Sequence, residues 1–275
     1  MSEFNINEIK EIITNRKKLT NSFNYYNEVL NWIKNEEAYV VKINNCVFLL
    51  LKKNKFCKFY YFIDEYSNMM LANDFLMTYS KNYLISMEIT TKDTKNLEII
   101  NSFAKELNFD YYSEFARLIS GQNNLKDKDK DKDKDKDNFL LAEKKDIKNL
   151  LETMNKEFDP IIDDIPSEEE LISLIDNKSI IIKYIEEELI FIQIFEYKFG
   201  SLYSRMTWIM KKFRKPKYTI DIYNEIDSYL DYLDINNKNI RAYYWVDVTN
   251  KNFLIGQKLG SKPDGLRCIT FLYNK

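Results

Sequence analysis

Arg214, Lys215 and Lys217 surround Pro216 just ahead of an apolar-periodic stretch that begins at Tyr218. Proline suits the first turn of a helix, where a missing N–H costs nothing. Cations at a helix start oppose the positive end of its dipole by about 0.3–1 kcal/mol each, unless an anion lies there. Free backbone N–H groups and nearby point charges are what a phosphate needs, so this segment points to anion binding. Lysines are also ordinary solvated surface residues, and that reading stands beside it.

What the chain lacks narrows the chemistry further. Its 275 residues include no histidine, which removes Ser-His-Asp and Cys-His nucleophiles and the common zinc sites. No metal is expected. The five glycines (Gly121, Gly200, Gly256, Gly260, Gly265) cannot build GxGxxG or GxxxxGK spacing, so dinucleotide-binding and P-loop signatures are excluded. Cys46, Cys57 and Cys268 lie in apolar surroundings and read as buried free thiols of a reducing compartment. A net charge of −2 gives no bulk attraction to nucleic acid or anionic membrane, and neither is expected as a partner. The longest apolar stretch, Val47–Leu51, is strand-sized. The acidic opening stretch has no apolar core of a secretion signal, so a cytoplasmic location is expected.

The elements that must position these groups fall on either side of an alternating Lys-Asp run, Lys126–Asp137. With nothing apolar to bury, that run is expected to be a solvated linker. The expected domains are therefore 1–121 and 139–275, joined by 122–138. Helical spacing predicts helices over Ile6–Lys18 and Ser22–Ile33, then strands Ala38–Ile43, Cys46–Lys52 and Lys58–Ile63. Asn44-Asn45 fits a tight hairpin turn, because asparagine tolerates left-handed backbone. A helix (Glu65–Tyr79), a strand (Tyr83–Thr90), a helix (Leu97–Leu107) and a strand (Tyr111–Ile119) complete the first half.

In the second half Phe139–Ala142 reads as a short strand and Lys144–Glu157 as a helix. Pro166-Ser167 opens another helix with three glutamates in its first turn. Strands Ser179–Ile185, Leu189–Tyr197 and Leu202–Lys211 precede a helix Tyr218–Leu233. A strand Ile240–Val248, a helix Asn250–Leu259 and a strand Leu266–Tyr273 follow. Both halves thus read helix, helix, three strands, helix, strand, helix, strand. This implies an internal repeat of roughly 130 residues, the usual size of one small domain.

The element order of residues 139–275 resembles that of the GNAT acyltransferase superfamily, and three stretches add to the likeness. Phe139-Leu-Leu-Ala-Glu-Lys-Lys-Asp146-Ile147 is similar to the family's opening strand and first helix. Ile209-Met-Lys-Lys-Phe-Arg214-Lys-Pro-Lys217-Tyr-Thr219 resembles its V-x-P-x-x-R-G-x-G-x-G/A signature. Asp247-Val-Thr249-Asn250, followed by Gln257-Lys-Leu-Gly260, resembles its closing stretch. The implied fold is α/β: two GNAT-like halves, each a mixed, mostly antiparallel sheet flanked by helices. The first half would be degenerate, because acidic Phe62-Ile-Asp-Glu-Tyr66 replaces the signature and would repel a pyrophosphate.

The resemblance implies transfer of an acetyl or acyl group from acetyl-CoA to the amine of a small molecule or peptide. It assigns cofactor binding to Ile209, Met210, Lys211, Arg214, Lys215, Lys217, Tyr218, Thr219 and Asn250. Three departures accompany it. The two intervening glycines are Lys215 and Lys217, whose side chains obstruct close backbone approach. The frequent general-acid tyrosine is Gly256, and the asparagine position falls on Thr249 with Asn250 adjacent. Catalysis would then fall to Glu196 or Asp247 as base and to Tyr244, on the strand that also carries Tyr243, as proton donor. Two alternatives remain: a binding or assembly protein that kept the fold without the chemistry, and an aminoacyl-transferase of tandem halves. The near-neutral charge opposes the large RNA surface that the latter would need.

Overall fold

Cys46-Val-Phe-Leu-Leu-Leu has no polar face, and a strand of that kind has to be covered on both sides. The computed structural model describes residues 6–22, 24–53, 56–92, 94–120, 139–198, 200–215, 241–258 and 260–274. The expected Lys-Asp linker and the expected helix Tyr218–Leu233 lie outside these residues. The chain divides into two compact units, Met1–Ala116 with Gly265–Lys275, and Arg117–Asp264. The boundaries fall within two long strands.

In the first unit, α1 (Ile6–Thr14), the two-residue β1 (Leu19–Thr20) and α2 (Tyr26–Lys34) precede the hairpin β2 (Ala38–Ile43) and β3 (Cys46–Lys52). Next come β4 (Phe56–Ile63), a 3-10 helix (Tyr66–Ala72), α3 (Asn73–Ser80), β5 (Leu84–Thr91), α4 (Thr94–Glu106) and β6 (Phe109–Ser120). Val47 and Leu49 of β3 pack with Ile9, Ile12, Val29 and Leu30 of α1 and α2. Cys46, Phe48 and Leu50 point to the other face, with Met69, Leu76, Ile100 and Ala104. Helices therefore cover the sheet on both sides, and β3 is apolar as far as Leu51. Asn44 adopts φ 54° in the two-residue turn, as its short polar side chain allows.

From the boundary within β6, the second unit runs through β7 (Phe139–Leu141), α5 (Ile147–Glu157), α6 (Glu168–Asp176), β8 (Ile180–Ile185), β9 (Glu188–Lys198) and β10 (Ser201–Ile209). It ends with β11 (Ala242–Asp247) and α7 (Lys251–Lys258). Strands β7 to β10 form antiparallel neighbours, and β11 adds to β10 in parallel. Leu150, Met154, Leu171 and Leu174 of α5 and α6 meet Ile182, Ile192, Ile194, Met206 and Trp208 of the sheet. Ser167 caps α6 by accepting the Glu170 N–H at 3.2 Å, and three glutamates follow in the first turn. Each unit is thus a mixed, mostly antiparallel sheet with flanking helices.

The last strand, β12 (Lys262–Tyr273), differs from expectation. Its residues from Gly265 onward lie in the first unit, where the strand order is β2-β3-β4-β5-β12-β6. It pairs antiparallel with β5 from Arg267↔Thr91 to Leu272↔Ser86. Ile269, Phe271 and Tyr273 join the first unit's core, and Tyr273 meets Phe109 edge-on at 5.3 Å. Alternating apolar residues show that a strand has one buried face but not which sheet buries it. Cys46 and Cys57 are buried free thiols, whereas Cys268 is free but only partly buried. Burial pushes the Cys57 thiol up to about 11. Among the described residues no helix is long and apolar enough to cross a membrane.

The hairpin turn yields a direct test. Asn44→Gly should keep or raise stability, while Asn44→Val should lower it by about 1–2 kcal/mol, the cost of left-handed backbone for a branched residue. Urea midpoints at constant slope measure both.

Candidate functional site

Parallel neighbours β10 and β11 share a ladder at only three positions: Leu202↔Ala242, Tyr203↔Tyr243 and Ser204↔Tyr244. Beyond that point the two strands continue, one to Ile209 and the other to Asp247, with no ladder between them among the described residues. The pairing of β10 with β9 shifts register between Ser204 and Met206. An extra residue in one strand bends it and increases its twist, which is how two neighbours come to diverge. That residue is Arg205.

Its side chain is only 3% exposed and is drawn towards the α6 side by acids. Nη1 donates to Glu170 Oε1 at 2.6 Å, and Nη2 donates to the Asp164 carbonyl at 2.7 Å. Glu196 Oε1 lies 3.5 Å from Nη1. The guanidinium is buried while Asp164 and Glu170 stay about half exposed, so the bulge is anchored to the α6 side from its solvent edge. Nothing in the local pattern of β10 announces Arg205. The only trace in sequence is the one charged residue of the strand Ser201–Ile209.

Backbone N–H and C=O groups facing an opening between strands must find partners. The opening is therefore suited to an extended ligand that carries amides. At its apex stands Tyr244, whose hydroxyl donates to Ser261 Oγ at 3.1 Å. Burial raises the Tyr244 pKa, and the Ser261 bond partly offsets this. A Cβ on Gly256 would fall 2.3 Å from the Tyr244 hydroxyl oxygen. The glycine at the expected tyrosine position is thus required by a different tyrosine, which reaches in from β11.

The proposed bases lie close by with their carboxylates engaged. Glu196 sits opposite Tyr203 on the β9–β10 ladder and belongs to the Arg205 cluster. Asp247 Oδ1 accepts from the Thr249 N–H at 2.7 Å and from its hydroxyl at 2.6 Å, closing the turn into α7. Asn250 Oδ1 accepts from the Asn252 N–H at 3.0 Å at the start of that helix. Asp163, in the α5–α6 loop, had not been singled out from sequence. Burial raises its pKa, the Asp159 N–H lowers it, and the charges of Asp159 and Asp247 raise it further.

The post-strand segment stands at the far end of β10. Met210 N–H donates to the Ile190 carbonyl at 2.8 Å, so this residue still belongs to the β9 pairing. Arg214 Nε donates to the Ile209 carbonyl at 2.6 Å, and its Nη2 reaches Glu157 Oε2 at 3.1 Å. Trp208 Nε1 donates to the same Glu157 oxygen at 3.2 Å. That bond, with Arg214 assisting against desolvation, holds Glu157 below the usual carboxylate range. Arg214 is half exposed, and exposed ion pairs of this type contribute about 0–1 kcal/mol, so an incoming anion could replace Glu157. Lys211 lines a cleft of about 430 Å³ with Glu157, Trp208 and Met210, and Lys215 is exposed. Lys217, Tyr218 and Thr219 lie outside the described residues. Among those described, no group of three Cys, Asp or Glu side chains is placed to hold a metal ion.

No sequence family matches this chain, and no curated protein matches it. Solved structures do. A tandem GNAT protein from the clavulanic acid biosynthesis pathway is 7% identical, covers 97% of this chain and 94% of its own, and has a TM-score of 0.57. A GCN5-related N-acetyltransferase from Kribbella flavida is 8% identical over 90% of this chain and 93% of its own, with a TM-score of 0.56. Another from Sphaerobacter thermophilus is 8% identical, covers 91% and 85%, and has a TM-score of 0.53. At this level of identity the likeness shows the fold alone, over 90% or more of this chain.

The Tyr244–Gly256 contact predicts a non-additive pair. Gly256→Ala should destabilise by about 1–3 kcal/mol through overpacking. In a Tyr244→Phe background the contact at 2.3 Å is gone, leaving Cζ at 3.4 Å and Leu118 Cδ1 at 3.0 Å, so part of that cost should vanish and the part due to Leu118 should remain. A double-mutant cycle by urea denaturation reads the coupling.

Proposed function

We propose that this chain is an acyl-CoA-dependent N-acyltransferase, moving an acetyl or other acyl group to the amine of a small molecule or peptide. The observation that carries the proposal is the opening between β10 and β11 beyond Ser204 and Tyr244, held by the Arg205 bulge. The pantetheine arm of CoA is extended and carries two amides, so it can pair with strand edges as an added strand would. Its diphosphate would then extend past the end of β10, towards Arg214 and Lys215, with Lys211 nearby; Lys217, Tyr218 and Thr219 are assigned to it from the sequence alone.

In the reaction, the amine nitrogen attacks the thioester carbonyl and loses a proton to a carboxylate. The thiolate leaves and takes up a proton. Tyr244 suits the second transfer, because a raised pKa keeps its proton in place until a basic thiolate forms. Glu196 and Asp247 are candidates for the first, and Asp163 joins them. It is the acid near Asp247 whose burial raises its proton affinity. The missing helix tyrosine at Gly256 favours a second reading, a silent binding protein, which acyl-CoA binding without turnover would select.

Calorimetry with acetyl-CoA tests the proposal. Saturable heat is expected, and Arg214→Ala or Lys215→Ala should each raise Kd about tenfold, the loss of one charge-assisted hydrogen bond of about 1.5 kcal/mol. Neither heat nor a thermal shift at millimolar ligand would overturn it.

A further inference from the structure

The first unit contains the same kind of opening. β4 and β5 pair in parallel at Phe56↔Leu84, Cys57↔Ile85, Lys58↔Ser86 and Phe59↔Met87, and the ladder then stops. Both strands continue beyond it, to Ile63 and to Thr91. Here the gap is bridged from within the chain.

Asn21 is 5% exposed and sits between the two strand edges. Its Nδ2 donates to the Phe59 carbonyl at 2.9 Å and to the Glu88 carbonyl at 3.0 Å. Its Oδ1 accepts the Tyr61 N–H at 3.0 Å. One carboxamide therefore bonds three backbone groups at the point where the two strands diverge. The residues before it are pinned as well. Leu19 and Thr20 pair antiparallel with Ile63 and Phe62. Lys18, its side chain 1% exposed, donates to Asp64 Oδ1 at 2.6 Å and to the Asn45 carbonyl. Asn45 Nδ2 donates in turn to Asp64 Oδ2 at 3.3 Å.

We propose that Lys18–Asn21 is a built-in occupant of the first unit's opening, so that the chain binds a single acyl-CoA, in the second unit alone. The identity of the ligand rests on the function proposed above; the occupancy of the first opening does not. Asn21 presents an amide, the group that a pantetheine arm would present; it donates to both edges and accepts from β4. A ligand entering there would have to strip these bonds and draw Lys18 from Asp64. The second unit differs at the corresponding place. Its α5–α6 loop is tied to the sheet by Arg205, through the Asp164 carbonyl, and sends no side-chain amide between the strands among the described residues.

Hydrogen–deuterium exchange on the full chain decides the matter. Without ligand, the Tyr61 amide should exchange at least about 100-fold slower than an open amide, as a buried bonded group does. Millimolar acetyl-CoA should slow exchange over residues 204–209, leave 59–63 unchanged and titrate calorimetrically to one site per chain. Asn21→Ala should speed exchange at 59–63 by about tenfold or more and leave 204–209 as before. Slowing at 59–63 by acetyl-CoA, or two sites per chain, overturns the inference. So does a fast Tyr61 amide in the unaltered protein, or one indifferent to Asn21→Ala. If acetyl-CoA slows neither segment, the acyltransferase reading fails, while the Tyr61 amide still decides who occupies the first opening. That readout needs no variant and stands even if Asn21→Ala does not fold.

Discussion

A buried guanidinium on a strand otherwise built of apolar and small residues constrains the second unit. Arg205 cannot sit on an apolar face without carboxylates, and three acids meet it on the α6 side of the sheet. To reach them β10 takes an extra residue, and the extra residue turns the strand away from β11. The electrostatic need of one side chain thus becomes a gap in a sheet. Everything that gives this unit a candidate site lies along that gap: Tyr244 at its apex, Glu196 one ladder step behind it, Asp247 at the far end of β11.

The two units resolve the same backbone problem in different ways. Parallel strands that diverge expose hydrogen-bonding groups, and these must be satisfied by something. In the first unit the partner is Asn21, fixed by a strand fragment and a buried ammonium. The acid in Phe62-Ile-Asp-Glu-Tyr66, expected from sequence to repel a pyrophosphate, has a concrete occupation here: Asp64 holds Lys18. Its charge serves the chain's own segment.

Much of the framework is legible in sequence because it rests on local patterns. Ala38–Ile43 and Cys46–Lys52 fall at the expected residues, since β-branched and aromatic runs flank a turn that only a few residue types tolerate. Ser167 caps its helix as its spacing with Glu170 requires. What sequence hides is long-range. Asn21 reads as an ordinary turn residue, and its three partners are 38, 40 and 67 positions away. Arg205 falls within an expected strand with no sign of its acids, two of which lie in a loop and a helix 41 and 35 positions earlier. Gly256 registers only as a missing tyrosine, and the hydroxyl that forbids a side chain there belongs to another strand.

The seat of β12 between β5 and β6 has a consequence for biogenesis. A nascent chain is made from its N-terminus, and early domains generally fold while later ones are still being translated. This first unit cannot do so completely. Its sheet lacks an interior strand until residues near 273 leave the ribosome, and β5 and β6 wait with open edges until then. Translation order and assembly order are therefore uncoupled, and the first unit closes only after the second has been made.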